Sequence, residues 1–139
     1  MNRESMIATV RPFYDHALTV NPNHSPADVL GALLADDFLS INSQEQKPKA
    51  ALIKQVGFFW TLIPDLLWEP VDFVVEGNKV VVRSVASGTP KGNFMGVPLD
   101  GSRSFKIDTT DIHEIVDGRV VRAYHLEDWA TGMKQLTGR

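Results

Sequence analysis

The stretch of residues 105–136 constrains this chain more than any other. Two runs of alternating apolar residues flank Asp117-Gly118, and the second runs straight into a short helical pattern. Asp-Gly between such runs predicts a two-residue hairpin, because both turn positions need positive φ. The same hairpin holds the densest set of proton-handling groups in the chain: Asp111, His113, Tyr124, His125 and Asp128. We expect it to form one wall of a small-molecule pocket that Asp128 closes.

Upstream of the hairpin the apolar period changes once. Met6, Ile7, Val10, Phe13, Tyr14, Ala17 and Leu18 recur at helical spacing, predicting a helix over residues 3–19. Ser25 caps a second helix, with Pro26 at its first position and Val29, Leu30, Leu33 and Leu34 as its buried stripe. Residues 38–42 read as a short strand and 43–48 as polar and irregular. A third helix spans Lys49–Leu62, with Leu52, Ile53, Val56, Phe59 and Trp60 on one face, and Pro64 cannot continue it. From Asp65 the period becomes two. Val71, Phe73 and Val75 alternate with polar neighbours, Gly77-Asn78 turns the chain, and Val80, Val82, Ser84 and Ala86 form one face of the next strand. Residues 88–101 carry four glycines and two prolines and read as a loop with short extended pieces. Asp128 is placed to cap the last helix. Segregated helices and strands indicate an α+β fold. No linker, internal repeat or low-complexity segment divides the chain, so one domain over residues 1–139 is expected.

Composition closes off several function classes. The 139 residues are 43% hydrophobic, enough for a sizeable core, with a formal net charge of -3. No Lys/Arg run offers the electrostatic footprint that nucleic acid or an anionic membrane would need. There is no cysteine, which excludes disulfides and thiolate metal sites and fits a reducing cytoplasm. The N-terminus lacks the pattern of a signal peptide, and no stretch reaches the ~20 apolar residues of a membrane span. Four scattered histidines without HxxxH or HExxH spacing give no metal motif. The Gly-x-x-x-Gly spacing in the glycine-rich loop lies outside any βαβ unit, and no Ser sits in a nucleophile elbow.

Taken in order, a set of short motifs resembles a known family. Pro64-Asp65-Leu66 follows a helix ending in aromatics, and Glu76-Gly77-Asn78-Lys79-Val80 leads to Val82-Arg83. Gly88-Thr89-Pro90 through Gly96-Val97-Pro98 comes next. Asp111-Ile112-His113, Asp117-Gly118-Arg119-Val120-Val121 and Asp128 ahead of Gln135-Leu136 complete the series. Over residues 5–137 this resembles the SnoaL-like polyketide cyclases of the nuclear transport factor 2-like superfamily. The resemblance implies a cone-shaped, cystatin-like α+β fold, with a curved antiparallel sheet wrapped around N-terminal helices, an apolar pocket and frequent dimers. It implies general acid/base catalysis of an intramolecular aldol closure without metal or organic cofactor. It assigns the acid/base role to Asp128, assistance to His113 and a pocket position to Asn42. Pro90, Leu99-Asp100, Arg122 and Tyr124 depart from the family pattern, so the pocket wall has changed.

The residues themselves support these assignments unevenly. In a regular strand Ile107, Thr109, Asp111, His113 and Ile115 share a face, which makes Asp111 and His113 i, i+2 neighbours. Tyr124, Leu126 and Asp128 share parity on the returning strand, placing the Tyr124 hydroxyl in the pocket. His125 then points the other way with Ala123 and Glu127. Trp60 either packs the core or lines a flat aromatic pocket. The expectation is a homodimeric, cytoplasmic enzyme for a small apolar carbonyl compound. Ketosteroid-isomerase-like isomerisation, dehydration or plain ligand binding on the same scaffold are the alternatives.

Overall fold

A computed structural model describes residues 2–138. Helix α1 (Arg3–Pro12) starts at Asn2, whose Oδ1 accepts the Ser5 N–H at 2.8 Å. Such a cap satisfies a backbone donor that the helix itself leaves free. The predicted single helix over 3–19 changes character after Pro12. Residues Phe13–Ala17 form a π-helical turn, closed by the Leu18 N–H bonded to the Phe13 carbonyl at 2.9 Å. Phe13, Tyr14 and Ala17 are all buried there. Helix α2 (Pro26–Leu33) begins with Ser25 Oγ accepting from the Asp28 N–H at 3.4 Å.

The chain enters strand β1 (Leu34–Ile41) directly from α2, four residues earlier than the sequence suggests. The polar segment after it contains a strand, β2 (Gln46–Pro48), paired antiparallel to β1. Helix α3 (Lys49–Leu62) has the predicted bounds. Strands β3 (Leu67–Glu76) and β4 (Lys79–Gly88) follow. The glycine-rich loop is a small hairpin, β5 (Lys91–Phe94) and β6 (Val97–Asp100), turned by Met95 and Gly96 at φ 50° and 80°. Strands β7 (Phe105–Val116) and β8 (Arg119–Glu127) and helix α4 (Trp129–Thr137) complete the chain. The β7–β8 turn has Asp117 and Gly118 at φ 52° and 76°, the conformation their sequence predicts.

The main sheet has the order β2-β1-β8-β7-β4-β3 and is antiparallel except between β1 and β8. This is the expected α+β architecture, a curved antiparallel sheet around N-terminal helices. The inner face of β7 is buried along its length, from Phe105 through Ile107, Thr109, Asp111 and His113 to Ile115. Phe94, Phe105 and Trp129 close one end of the core, with ring centroids 5.0–6.2 Å apart. Burying one such aromatic contributes roughly 1.5–3 kcal/mol.

One irregularity decides what faces the interior. Glu114 pairs with Arg122 but Ile115 pairs with Val120, so Val121 is an extra residue in β8. A bulge of this kind reverses the side-chain parity beyond it. Val120 is buried, but past the bulge it is Ala123, His125 and Glu127 that turn inward, opposite His113, Asp111 and Thr109. Tyr124 and Leu126 face outward, 40% and 74% exposed. The predicted parity of Tyr124 and His125 relative to the pocket is therefore reversed.

Candidate functional site

A cavity of about 510 Å³ lies between the inner face of the sheet and helix α3, within the range of small-molecule sites. Phe13, Leu18, Leu52, Val56, Phe59, Trp68 and Phe94 supply its apolar wall. Phe58 from α3, Met95 from the β5–β6 turn and Leu126 from β8 form an exposed apolar rim. The polar wall holds Asp111, His125 and Glu127, with Lys47 and Glu45 from the β2 side. Lys47 and Glu45 pair with each other.

Asp111 anchors the polar wall. It sits mid-strand on β7, 1% exposed. Its Oδ1 lies 2.7 Å from His125 Nδ1, and its Oδ2 accepts the Tyr14 hydroxyl at 2.7 Å. Tyr14 Oη is also 2.7 Å from His113 Nε2. The bulge in β8 and the π-helical turn are what bring His125 and Tyr14 to the same carboxylate. Phe13 packs between the two imidazoles, edge-on to His113 and nearly parallel to His125.

The electrostatics divide these groups. Burial drives Asp111 upward, but the hydrogen bond and charge of His125 and the Tyr14 hydrogen bond hold it below its ordinary value. Burial acts to lower His125, yet the Asp111 hydrogen bond and charge, helped by Glu127, raise it above the usual imidazole value against Lys47. Burial drives His113 down to about 4, so it is neutral at physiological pH. Burial, then the charge of Asp111, raises Glu127. A carboxyl raised beside an imidazole raised by a carboxylate is an acid/base combination suited to neutral pH. His125 Nε2 has no protein partner.

The residues singled out in the sequence fall into three groups. Asp111 and His125 meet in the cavity wall. Asn42 lines the cavity too, but its Oδ1 accepts the Gln44 and Glu45 N–H groups at 2.8 and 3.0 Å and so shapes the β1–β2 turn. His113 lies behind Asp111, fully buried and outside the lining. Trp60 spends its Nε1–H on the Ala17 carbonyl at 2.8 Å, and Tyr124 is on the outer face; neither lines the cavity.

Asp128 requires correction. It is exposed, lies outside the cavity lining, and caps α4 by accepting the Thr131 N–H at 3.1 Å and hydroxyl at 2.6 Å. Those bonds hold its carboxyl below the ordinary range, the wrong direction for a base working near neutrality. The parity reversal at Val121 puts the preceding residue, Glu127, into the wall instead. Glu127 and Lys47 were missed by sequence reasoning. Glu127 had a signal, its shared parity with His125; Lys47 lay in a segment with no readable period. Among the described residues no group of three His, Asp or Glu side chains could hold a metal ion.

Comparisons agree with this architecture. The family model described as SnoaL-like polyketide cyclase matches residues 8–136. No curated protein matches the chain. A proposed SnoaL-like polyketide cyclase from Jannaschia sp. CCS1 superposes with a TM-score of 0.87 at 21% identity, covering 100% of this chain and 99% of that one. Wild-type IdmH, a proposed polyketide cyclase from Streptomyces antibioticus, gives 0.79 at 25% identity, covering 95% and 98%. An LEH-like epoxide hydrolase from M. tuberculosis shares the fold at 0.72 and 16% identity, covering 97% and 91%.

Proposed function

The chain belongs to the SnoaL-like polyketide cyclase family, and from that premise we propose that it catalyses aldol-type ring closure of a small, largely apolar carbonyl compound. His125 Nε2 is the base. With Nδ1–H held by Asp111, its free lone pair takes a proton from the carbon next to a carbonyl. The resulting enolate carbon attacks a second carbonyl of the same molecule, forming the new C–C bond. The His125 imidazolium returns its proton to the alkoxide that results, which restores the base, and Glu127 beside it steadies the charged ring in between. No electrons are exchanged with an external partner, so these side chains suffice for the step. Isomerisation would use the same parts, with the proton returned to a different carbon.

The observation that carries this reading is the His125–Asp111 pair in the cavity wall, with Nδ1 2.7 Å from the carboxylate and Nε2 buried without a protein partner. Its test is turnover of aromatic poly-β-ketone esters followed by product mass and chromatography. A base contributes 10²–10⁴-fold, so His125→Ala should lower kcat by roughly 100-fold or more, with Glu127→Gln also strongly impaired. Folded variants with undiminished kcat would refute the assignment.

A further inference from the structure

Tyr14 and His113 are buried titratable groups that take no part in the chemistry just described. Tyr14 is 0% exposed and His113 is 0% exposed, and neither lines the cavity. Nevertheless Tyr14 Oη contacts both Asp111 Oδ2 and His113 Nε2 at 2.7 Å. Counting protons fixes the direction of these bonds. An ionised carboxylate only accepts, so Asp111 must receive the single hydroxyl proton of Tyr14. His113 can then contact Tyr14 only as a donor, through Nε2–H. That leaves His113 Nδ1 bare, and Nδ1 is indeed the atom without a partner. On the far side Asp111 Oδ1 must accept Nδ1–H of His125, which leaves Nε2 as the bare atom, again as observed.

We infer that Tyr14 and His113 are positioning residues: a one-way chain, His113 Nε2–H to Tyr14 O–H to Asp111, holds the carboxylate so that His125 keeps its proton on Nδ1 and leaves Nε2 as the bare nitrogen. Each link is needed. Without the His113 donor the Tyr14 hydroxyl could rotate toward the imidazole and abandon Asp111. Without the Tyr14 hydroxyl, Asp111 keeps its charge less well and binds the His125 proton more tightly. A neutral His113 is also required, and burial keeps it neutral against the charge of Asp111. The role attributed to His125 rests on the proposed function; the direction of the hydrogen bonds does not.

The charged and titratable groups around His125 are Asp111 and His113 from β7, Glu127 from β8, Lys47 from β2 and Tyr14 from the π-helical turn. Of these, Tyr14→Phe removes only a hydroxyl and keeps the buried ring. Its expected effect is a loss of kcat by roughly 10-fold, the low end of the loss on removing the outer hydrogen-bond partner of a metal-bound His, with KM little changed. The acidic limb of the kcat profile should move to higher pH, because the less-stabilised Asp111 makes His125 more basic. His113→Gln keeps an N–H donor and should stay near wild type, whereas His113→Leu should reproduce the shift.

Heteronuclear NMR of isotope-labelled histidine in the wild-type chain provides a readout independent of turnover. His113 should stay neutral with its proton on Nε2 between about pH 5 and 8, the range in which ordinary histidines titrate. His125 should keep its Nδ1 proton while Nε2 titrates. A His113 that titrates in that range or carries its proton on Nδ1 overturns the inference, as does an unmoved His125 midpoint in a folded Tyr14→Phe chain. Correct tautomers without any turnover would count against the proposed function and leave the chain of bonds standing.

Discussion

His113 carries a consequence for stability as well as for positioning. Its folded pKa of about 4 lies below the ordinary value of 6.5. The unfolded chain therefore binds more protons between those values, and stability falls as pH is lowered through that window. A shift of that size corresponds to roughly 3 kcal/mol. His125 acts in the opposite sense: its raised pKa gives stability that is present below the ordinary value and lost as pH rises through the folded one. We predict that urea midpoints measured from pH 7 to pH 4.5 will decline in the wild type. The slope should be shallower in His113→Gln, whatever that variant's absolute stability. At this scale the sequence was partly informative. It picked out Asp111, His113 and His125 as a cluster, but it could not show that Tyr14, almost a hundred residues away, completes it. No local period reports a contact between a helix near one end and a strand near the other.

At the scale of elements, alternation located β7 and β8 and Asp117-Gly118 located their turn. What alternation could not reveal was the extra residue at Val121. Val120, Val121 and Ala123 are all compatible with either face, so nothing in residue type betrays the slip. One unrecognised bulge turns His125 and Glu127, in place of Tyr124, toward the cavity, while Asp128 is singled out by the family resemblance. Asp128 keeps the other role its position suggested, that of a helix cap. Asp128→Ala should cost about 1 kcal/mol, the usual loss for an N-cap, read as a lower urea midpoint, while kcat changes less than about 2-fold. The β5–β6 hairpin was also hidden, because its glycines and prolines signal turns more strongly than its short strands signal pairing. It matters because Met95 at its tip forms part of the pocket rim.

For the whole molecule, the outer face of the sheet bears on assembly. Val74, Val81, Ile112 and Tyr124 lie in register across β3, β4, β7 and β8 and form one apolar row. Val74 is 59% and Tyr124 40% exposed. A two-sided apolar pattern was legible in the sequence as the valines of β4, and a second copy of the chain would cover this row. We expect a homodimer by light scattering at micromolar concentration, and a monomer for the Val74→Glu, Tyr124→Glu double variant with its core intact. A monomeric wild type would contradict that expectation. The fold class was legible because the change of period at Asp65 separates helices from strands. The composition of the pocket was not, because it is assembled from nine elements whose mutual register no single segment records.

The central claim is that a proton next to a carbonyl is taken by His125 and not by Asp128. Solvent deuterium exchange measures this without requiring the natural substrate. A panel of aromatic β-diketones and poly-β-ketone esters is incubated with protein in deuterium oxide, and label at the α-carbon is followed by NMR at a pH where spontaneous exchange is slow. The prediction is protein-dependent exchange in the wild type, equal exchange in Asp128→Asn and loss to background in a folded His125→Ala chain. Exchange that survives in His125→Ala, or disappears in Asp128→Asn, would contradict it.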